Sequence, residues 1–233
     1  MTTQQLPGVA EHTRLDVRTL SRVVAAILMP TGPACVAVIR LVIPDPTNPG
    51  LDPAAVIESM RLVQILGLPA LFTLLPGIYA ALHLARRYRP RLTAWTAAFL
   101  VPAYLGMAAL GAIDYFTLAG HEVNLDPQTM TQVTDRLFAL TAVPTMVFVI
   151  GHIVGTILLG IIVFQAHLAP AWVAALLMVS QPVHLVAIVT SLAWLDLSAW
   201  GMTALGMAFL AIRVLRTPND QWDLPPYGAA HLD

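Results

Sequence analysis

Six long apolar runs, separated by short polar stretches, dominate the pattern of the chain. A helix needs ~20 apolar residues to cross ~30 Å of hydrocarbon, and none of the runs alternates like the strands of a membrane barrel. Backbone groups in lipid must be satisfied within the segment, so helices are the natural solution. The pattern predicts six transmembrane helices at about 20–43, 57–84, 92–118, 135–165, 170–192 and 197–215.

The predicted fold class is all-α, a polytopic bundle of six membrane-spanning helices. One transmembrane domain occupies 19–216, between polar tails at 1–18 and 217–233. The stretches 44–57 and 119–133 are polar and contain proline, which predicts loops. The loop between the fourth and fifth helices is very short, so these two helices are expected to form a tight central hairpin.

Arginines predict the orientation of the bundle. Nine arginines fall on one side of the predicted helices and three on or near the other, which is a positive-inside pattern. It places both termini in the cytoplasm of a multi-pass protein in the bacterial cytoplasmic (inner) membrane. Four tryptophans near predicted helix ends are typical of interfacial aromatics; they are Trp95, Trp172, Trp194 and Trp200.

Composition supports the membrane assignment. The chain has 233 residues, of which 58% are hydrophobic and 11% charged, and its mean hydropathy is +0.75; a typical soluble domain is ~45–50% apolar and ~25% charged. The net charge of −1 gives no basic excess for nucleic acid. The bilayer is the predicted partner, no metal site is predicted, and protein partners and homo-oligomer formation stay open.

Two histidines in the hairpin are the sharpest feature of the sequence. His152 and His184 each lie 16 residues from Leu168, in the middle of the short turn. Equal distances from a tight turn mean equal depth in the membrane, about 20 Å from the turn at ~1.5 Å per residue. The two imidazoles are therefore expected at one level inside the bundle.

Other polar residues are expected near that level. Counting along their own helices places Gln64 and Tyr104 beside the histidines, and Gln181 slightly nearer the hairpin turn. Polar and ionisable groups in membrane helices usually face the protein interior, because facing lipid is expensive. The sequence thus predicts a buried polar pocket shared by several helices.

Two interpretations of the histidine pair stay open. Neutral imidazoles on facing helices could be axial ligands of haem b, as in membrane electron-transfer proteins. Gly151, Gly155 and Gly160 would then let the macrocycle approach. The alternative is that the histidines hydrogen-bond across helices and that the glycines serve close helix packing.

A second group of charged residues is predicted at the outer end of the bundle. Asp114 interrupts an apolar run, Glu58 and Arg61 lie at the start of the second helix, and Asp196 directly precedes the sixth. Acids and bases at such a place could bind or protonate a small molecule. Glu58 and Arg61 are also three residues apart on one helix face, which favours a local ion pair.

The run GHIVGTILLG, followed by SQPVHLVA and LDLSAWGMTALG, resembles uncharacterised six-helix membrane proteins common in actinobacteria. The resemblance implies an inner-membrane protein with a GH…QPxH pattern, matched here by Gly151, His152, Gln181, Pro182 and His184. It carries no activity. The open alternatives are binding of a small or lipophilic molecule, b-type haem electron transfer, and a small-molecule carrier or membrane-embedded enzyme.

Overall fold

The computed structural model describes residues 16–44 and 52–223, and every regular element within those ranges is helical. In chain order the helices are α1 (Val17–Val42), α2 (Pro53–Ala85), α3 (Pro90–Glu122), α4 (Pro127–Leu140), α5 (Ala142–Gln165), α6 (Ala171–Thr190), α7 (Ala193–Arg216) and α8 (Asn219–Trp222). Six of them are long and apolar enough to cross a membrane: α1, α2, α3, α5, α6 and α7. The predicted all-α bundle with six spans is confirmed.

The predicted fourth helix, 135–165, is wrong in its bounds. The structure has two helices there, α4 and α5, which meet at Thr141. Residues 127–133, expected to be loop, already belong to α4. Asp126 accepts a hydrogen bond from the Thr129 N–H, which caps the helix and holds the pKa of Asp126 below its ordinary value. Pro127 takes the first helical position, where its missing N–H costs nothing.

The six spanning helices form a closed ring. Each packs against the spanning helix before it and the one after it, and α1 packs along α7 to close the circle. The hairpin of α5 and α6 is one segment of this ring, so the expectation that it is central is wrong. The contact between α1 and α7 is among the most extensive in the molecule.

Large apolar side chains cover the outside of the ring. Phe72 is 70% exposed and Val189 is 78% exposed. Trp95 and Trp194 are also exposed, near the starts of α3 and α7. Water would make such a surface unstable, whereas lipid chains would cover it. The outer surface therefore fits the multi-pass membrane architecture.

Glycines set the approach of α3 and α5. A Cβ on Gly151 would lie 2.6 Å from the carbonyl oxygen of Phe99, and one on Gly155 would lie 2.5 Å from the Leu100 side chain. Only a residue without a side chain lets the two backbones come this close. In this structure Gly151 and Gly155 thus serve helix packing.

The C-terminal segment packs against the starts and ends of other helices. Trp222 of α8 is buried, its ring lies 4.5 Å from the His83 ring at a tilt of 47°, and its indole N–H donates to the Ser21 hydroxyl at 3.2 Å. Asn219 donates to the Asp16 carboxylate at 2.8 Å. Residues 217–223 are thus bound to the bundle, although 217–233 was predicted as one polar tail; residues 1–15 and 224–233 lie outside the described ranges.

Candidate functional site

Asp196 joins a cation and a histidine inside the bundle. Its carboxylate accepts from Arg40 Nε at 2.5 Å through one oxygen and contacts His184 Nδ1 at 2.5 Å through the other. Asp196 is 4% exposed. This buried carboxylate is therefore bidentate, with one partner from α1 and one from α6.

Helix ends explain why these three residues meet. Arg40 lies in the last turn of α1 and Asp196 in the first turn of α7, where their charges complement the helix dipoles. A short turn at Ser191, whose φ is 55°, joins α6 to α7 and returns the chain so that Asp196 faces His184. Two tight hairpins thus bring α5, α6 and α7 side by side.

The structure brings His152 and His184 together. Their ring centroids are 5.4 Å apart with an edge-to-face geometry. Both rings also pack on Trp200, at 6.0 Å and 5.5 Å respectively. Trp200 was expected at the membrane interface, but it is 1% exposed and lies between α5 and α6, so that expectation is wrong.

His152 has one defined hydrogen-bond partner. Its Nδ1 lies 2.5 Å from the carbonyl oxygen of Phe148, one turn earlier on α5. Gln181 faces the imidazole from α6 and donates through Nε2 to the Thr203 hydroxyl at 2.9 Å. Among the described residues, His152 Nε2 and Gln181 Oε1 have no hydrogen-bond partner of good geometry.

Tyr104 lies at the edge of the same cluster. Its ring is 6.5 Å from Phe148, whose ring stacks on His152 at 4.3 Å. Tyr104 is buried and its hydroxyl faces Thr156 of α5. Tyr104 therefore reaches the histidines through an aromatic contact and not through a hydrogen bond in the described part of the chain.

Asp114 is the second carboxylate of the site. It is half-buried on α3 and close enough to Arg40 for their charges to attract. The side chain of Arg40 is 29% exposed, so it lies between the buried Asp196 and the surface of the bundle. The Arg40 guanidinium thus pairs with the Asp196 carboxylate and also attracts the Asp114 carboxylate.

The predicted residues of α2 form a separate group. Arg61 pairs with Glu122 at the end of α3, at 2.7 Å, and not with Glu58, so the expected local ion pair is wrong. Glu58 is exposed. Gln64 is half-buried and has no hydrogen bond or ring contact with either histidine among the described residues.

The geometry gives no support to ligation of haem b. A porphyrin between two axial imidazoles must hold the rings apart over its whole width. Here the two rings contact each other edge to face and pack on the same indole. In the described residues, no three side chains of His, Cys, Asp or Glu are grouped to hold a metal ion.

An apolar groove lies outside the histidine cluster. It has a volume of about 570 Å³ between α3 and α5, and its walls include Phe99, Pro102, Val143 and Met146. Gly151 also borders the groove, but neither His152 nor His184 does. The predicted polar pocket and this groove are therefore different places.

Sequence reasoning left Arg40, Thr203 and Trp200 out of the site. The signal that could have found Asp196 as a partner was the α6–α7 turn, because His184 and Asp196 lie at similar distances on either side of Ser191. For Arg40 no local signal existed, since its place depends on the packing of α1 against α7.

Comparisons with known proteins find no match. No family model matches it, and no curated protein or solved structure is significantly similar to it. Fold and site therefore rest on the residues themselves: the chain is a multi-pass helical membrane protein with an ion-paired histidine cluster inside its ring of helices.

Proposed function

We propose that this membrane protein binds a proton inside its helix ring, at a charge network made of Arg40, Asp114, Asp196, His152 and His184. The observation that carries the proposal is the Asp196 carboxylate shared by Arg40 and His184, with both contacts at 2.5 Å. Ionisable residues within membrane segments commonly mark proton relays and ion pathways.

Charge balance supports proton uptake. Two carboxylates and one guanidinium leave one negative charge in the network when both imidazoles are neutral. An unbalanced charge is expensive in a medium of low dielectric constant. One added proton neutralises the network.

Among the alternatives that the sequence leaves open, a carrier driven by protons fits this network best. Such a carrier needs a group that gains and loses a proton within the bundle, and His184 with Asp196 supplies one. The proposal includes the bacterial cytoplasmic membrane as location, supported by the arginine distribution. It also includes membership of the six-helix actinobacterial group, since His152, Gln181 and His184 carry that resemblance.

Tryptophan fluorescence tests the proposal in protein reconstituted into lipid nanodiscs. A protonated imidazole in contact with an indole quenches its emission, and Trp200 contacts both histidine rings. Emission is expected to fall as pH is lowered through the midpoint of proton binding. The change should disappear in Trp200→Phe and shrink strongly in His184→Asn.

Removing the negative charge of Asp196 tests the proposal more sharply. Removing a charge within ~4–6 Å changes a protonation midpoint by about 1–3 pH units. Asp196→Asn should therefore lower the midpoint by about that much, whereas Asp135→Asn, on the exposed surface of α4, should leave it unchanged. Emission independent of pH, or equal midpoints in both variants, would show that this network does not bind the proton.

A further inference from the structure

The hydrogen bond of His152 Nδ1 fixes which ring nitrogen can gain a proton. A carbonyl oxygen only accepts, so the Nδ1 atom that lies 2.5 Å from the Phe148 carbonyl carries a hydrogen. Nε2 is then the atom that is bare in the neutral ring and protonated in the imidazolium. His152 is completely buried, so the partner of Nε2 decides how well either form is tolerated.

Gln181 can hydrogen-bond to either the neutral or the protonated His152 ring. A side-chain amide has an NH₂ donor at one end and an oxygen acceptor at the other. If its NH₂ faces the neutral Nε2, its oxygen faces Thr203; if its oxygen faces a protonated Nε2, its NH₂ faces Thr203. A rotation of 180° about the last side-chain bond interconverts the two arrangements.

Thr203 completes both arrangements, because a hydroxyl donates and accepts. When the amide oxygen faces it, the Thr203 hydroxyl donates to that oxygen. When the amide NH₂ faces it, the hydroxyl accepts and turns its own hydrogen toward the backbone. The structure has the second arrangement, with Gln181 Nε2 donating at 2.9 Å and the Thr203 hydroxyl 3.4 Å from the Ala199 carbonyl.

The observed amide orientation is the one that a protonated His152 would need, although His152 Nε2 and Gln181 Oε1 are not hydrogen-bonded to each other in the described residues. With its NH₂ engaged by Thr203, the amide has its oxygen left for the imidazole, and two acceptors would otherwise face each other. A carbonyl oxygen at Nδ1 and an amide oxygen at Nε2 are the partners that an imidazolium needs. For a neutral ring, the other amide orientation is the favourable one.

We infer that Gln181 is a positioning residue that rotates its amide when His152 gains a proton, and so passes the protonation state from α5 to Thr203 on α7. This inference rests on the proposed proton binding and deepens it. The proton that the network takes up binds the Nε2 lone pair of His152, and the Gln181 NH₂ leaves that lone pair as the amide oxygen turns to accept from the new N–H. His184 keeps its contact with Asp196 through Nδ1 in both states.

Charged groups on the neighbouring helices influence the protonation of His152 and His184. Arg40 of α1 and Asp196 of α7 flank His184, and Asp114 of α3 is attracted to Arg40. Tyr104 reaches His152 through Phe148. On α2, Arg61 pairs with Glu122. The histidine pair shares the one carboxylate of Asp196, so it holds one proton and not two.

Nitrogen-15 NMR of the full chain in nanodiscs tests the inference. Side-chain signals of ¹⁵N-labelled histidine and glutamine are assigned by their loss in His152→Asn, His184→Asn and Gln181→Met. As the pH is lowered, the His152 Nε2 signal should change from bare to protonated. The Gln181 amide signal should shift with the same midpoint.

Two substitutions should move the His152 midpoint in opposite directions. Gln181→Glu places a carboxylate against Nε2 and should raise the midpoint by about 1–3 pH units. Gln181→Met removes the acceptor at similar volume and should lower it. The matched controls Gln165→Glu and Gln165→Met, at the far end of α5 from His152, should leave it unchanged.

The outcomes separate the inference from the proposed function. If His184 gains a proton while His152 stays neutral, or if the Gln181 signal does not change when His152 is protonated, the inferred amide rotation is wrong. The proposed proton binding by the network is then unaffected. If neither histidine titrates, the proposed function itself is wrong. Equal shifts of the His152 midpoint in Gln181→Glu and Gln181→Met would also overturn the switch.

Discussion

Single residues decide how closely the helices of this protein approach. Gly151 lies where the backbones of α3 and α5 nearly touch, next to His152 in sequence. Its missing Cβ would lie 2.6 Å from the Phe99 carbonyl and 2.8 Å from the Ala103 Cβ. A backbone atom cannot move aside as the tip of a flexible side chain can, so α3 and α5 would have to separate.

Gly151→Ala should destabilise the bundle by about 1–3 kcal/mol, the usual cost of overpacking. The matched control is Gly201→Ala in α7, where a Cβ would have no atom within 4 Å. That control should be neutral or slightly stabilising, because alanine favours helix over glycine by about 0.8–1 kcal/mol. Loss of helical circular dichroism on heating in detergent measures both; equal midpoints would contradict the close approach.

The histidine level could be predicted from the sequence, and much of its surroundings could not. A tight turn fixes depth by counting, so His152, His184 and Gln181 were identified together. Counting residues gives the depth of a side chain but not its direction around the helix. Gln64 was therefore expected beside the histidines, but in the structure it has no hydrogen bond or ring contact with either of them. Arg40 was missed because only the folded ring places it beside Asp196.

At the scale of elements, short segments attach to the ends of the spanning helices. Asp16 caps α1, and hydrogen bonds from Arg18 hold the pKa of Asp16 below its ordinary value of 3.8. The ionised carboxylate also accepts from Asn219 of the C-terminal segment. The start of α1 and the end of α7 are therefore joined through polar side chains.

Trp222→Ala should release the C-terminal segment without unfolding the ring. The change removes the ring contact with His83 at 4.5 Å and the hydrogen bond to Ser21 at 3.2 Å. Trypsin should then cut faster after Arg216, at the end of α7. Trp194→Ala, which removes an exposed indole, is the control; equal cleavage rates in the two variants would argue against docking of α8.

Element bounds were predictable where apolar runs end at polar residues. The separation of α4 from α5 was missed because hydropathy rises gradually from 135 onward. The start of α4 did have a local signal in Asp126-Pro127, a capping residue followed by a residue favoured at the first helical position. The break at Thr141 also had a signal in Pro144, in the first turn of α5, because proline lacks the N–H that would donate to the Leu140 carbonyl.

At the scale of the whole molecule, the ring has a basic and an acidic end. The loop between α2 and α3 carries three arginines, at 86, 87 and 89, and Arg91 follows in the first turn of α3. The opposite end carries the Arg61–Glu122 pair and Asp126. This asymmetry predicts that the α2–α3 loop faces the cytoplasm.

Cysteine labelling tests that orientation in a Cys35→Ser background, which has no other cysteine. A thiol reagent that cannot cross membranes should label Asn124→Cys in intact bacterial cells. It should label Tyr88→Cys only after the membrane is opened. Both positions are exposed in the structure, so the opposite labelling pattern would place the arginine loop outside.

The contact between α1 and α7 has a consequence for biosynthesis. Arg40 precedes Asp196 by 156 residues, so at ~5–20 residues per second the ribosome makes the acid roughly 10–30 s after the base. Throughout that time the nascent chain holds a cation at the membrane that lacks this counter-ion. Insertion of the last helix supplies the counter-ion and closes the ring in one event. A chain that stops before α7 would therefore expose both an open seam and an arginine without its Asp196 partner, which are features that a quality-control protease can recognise.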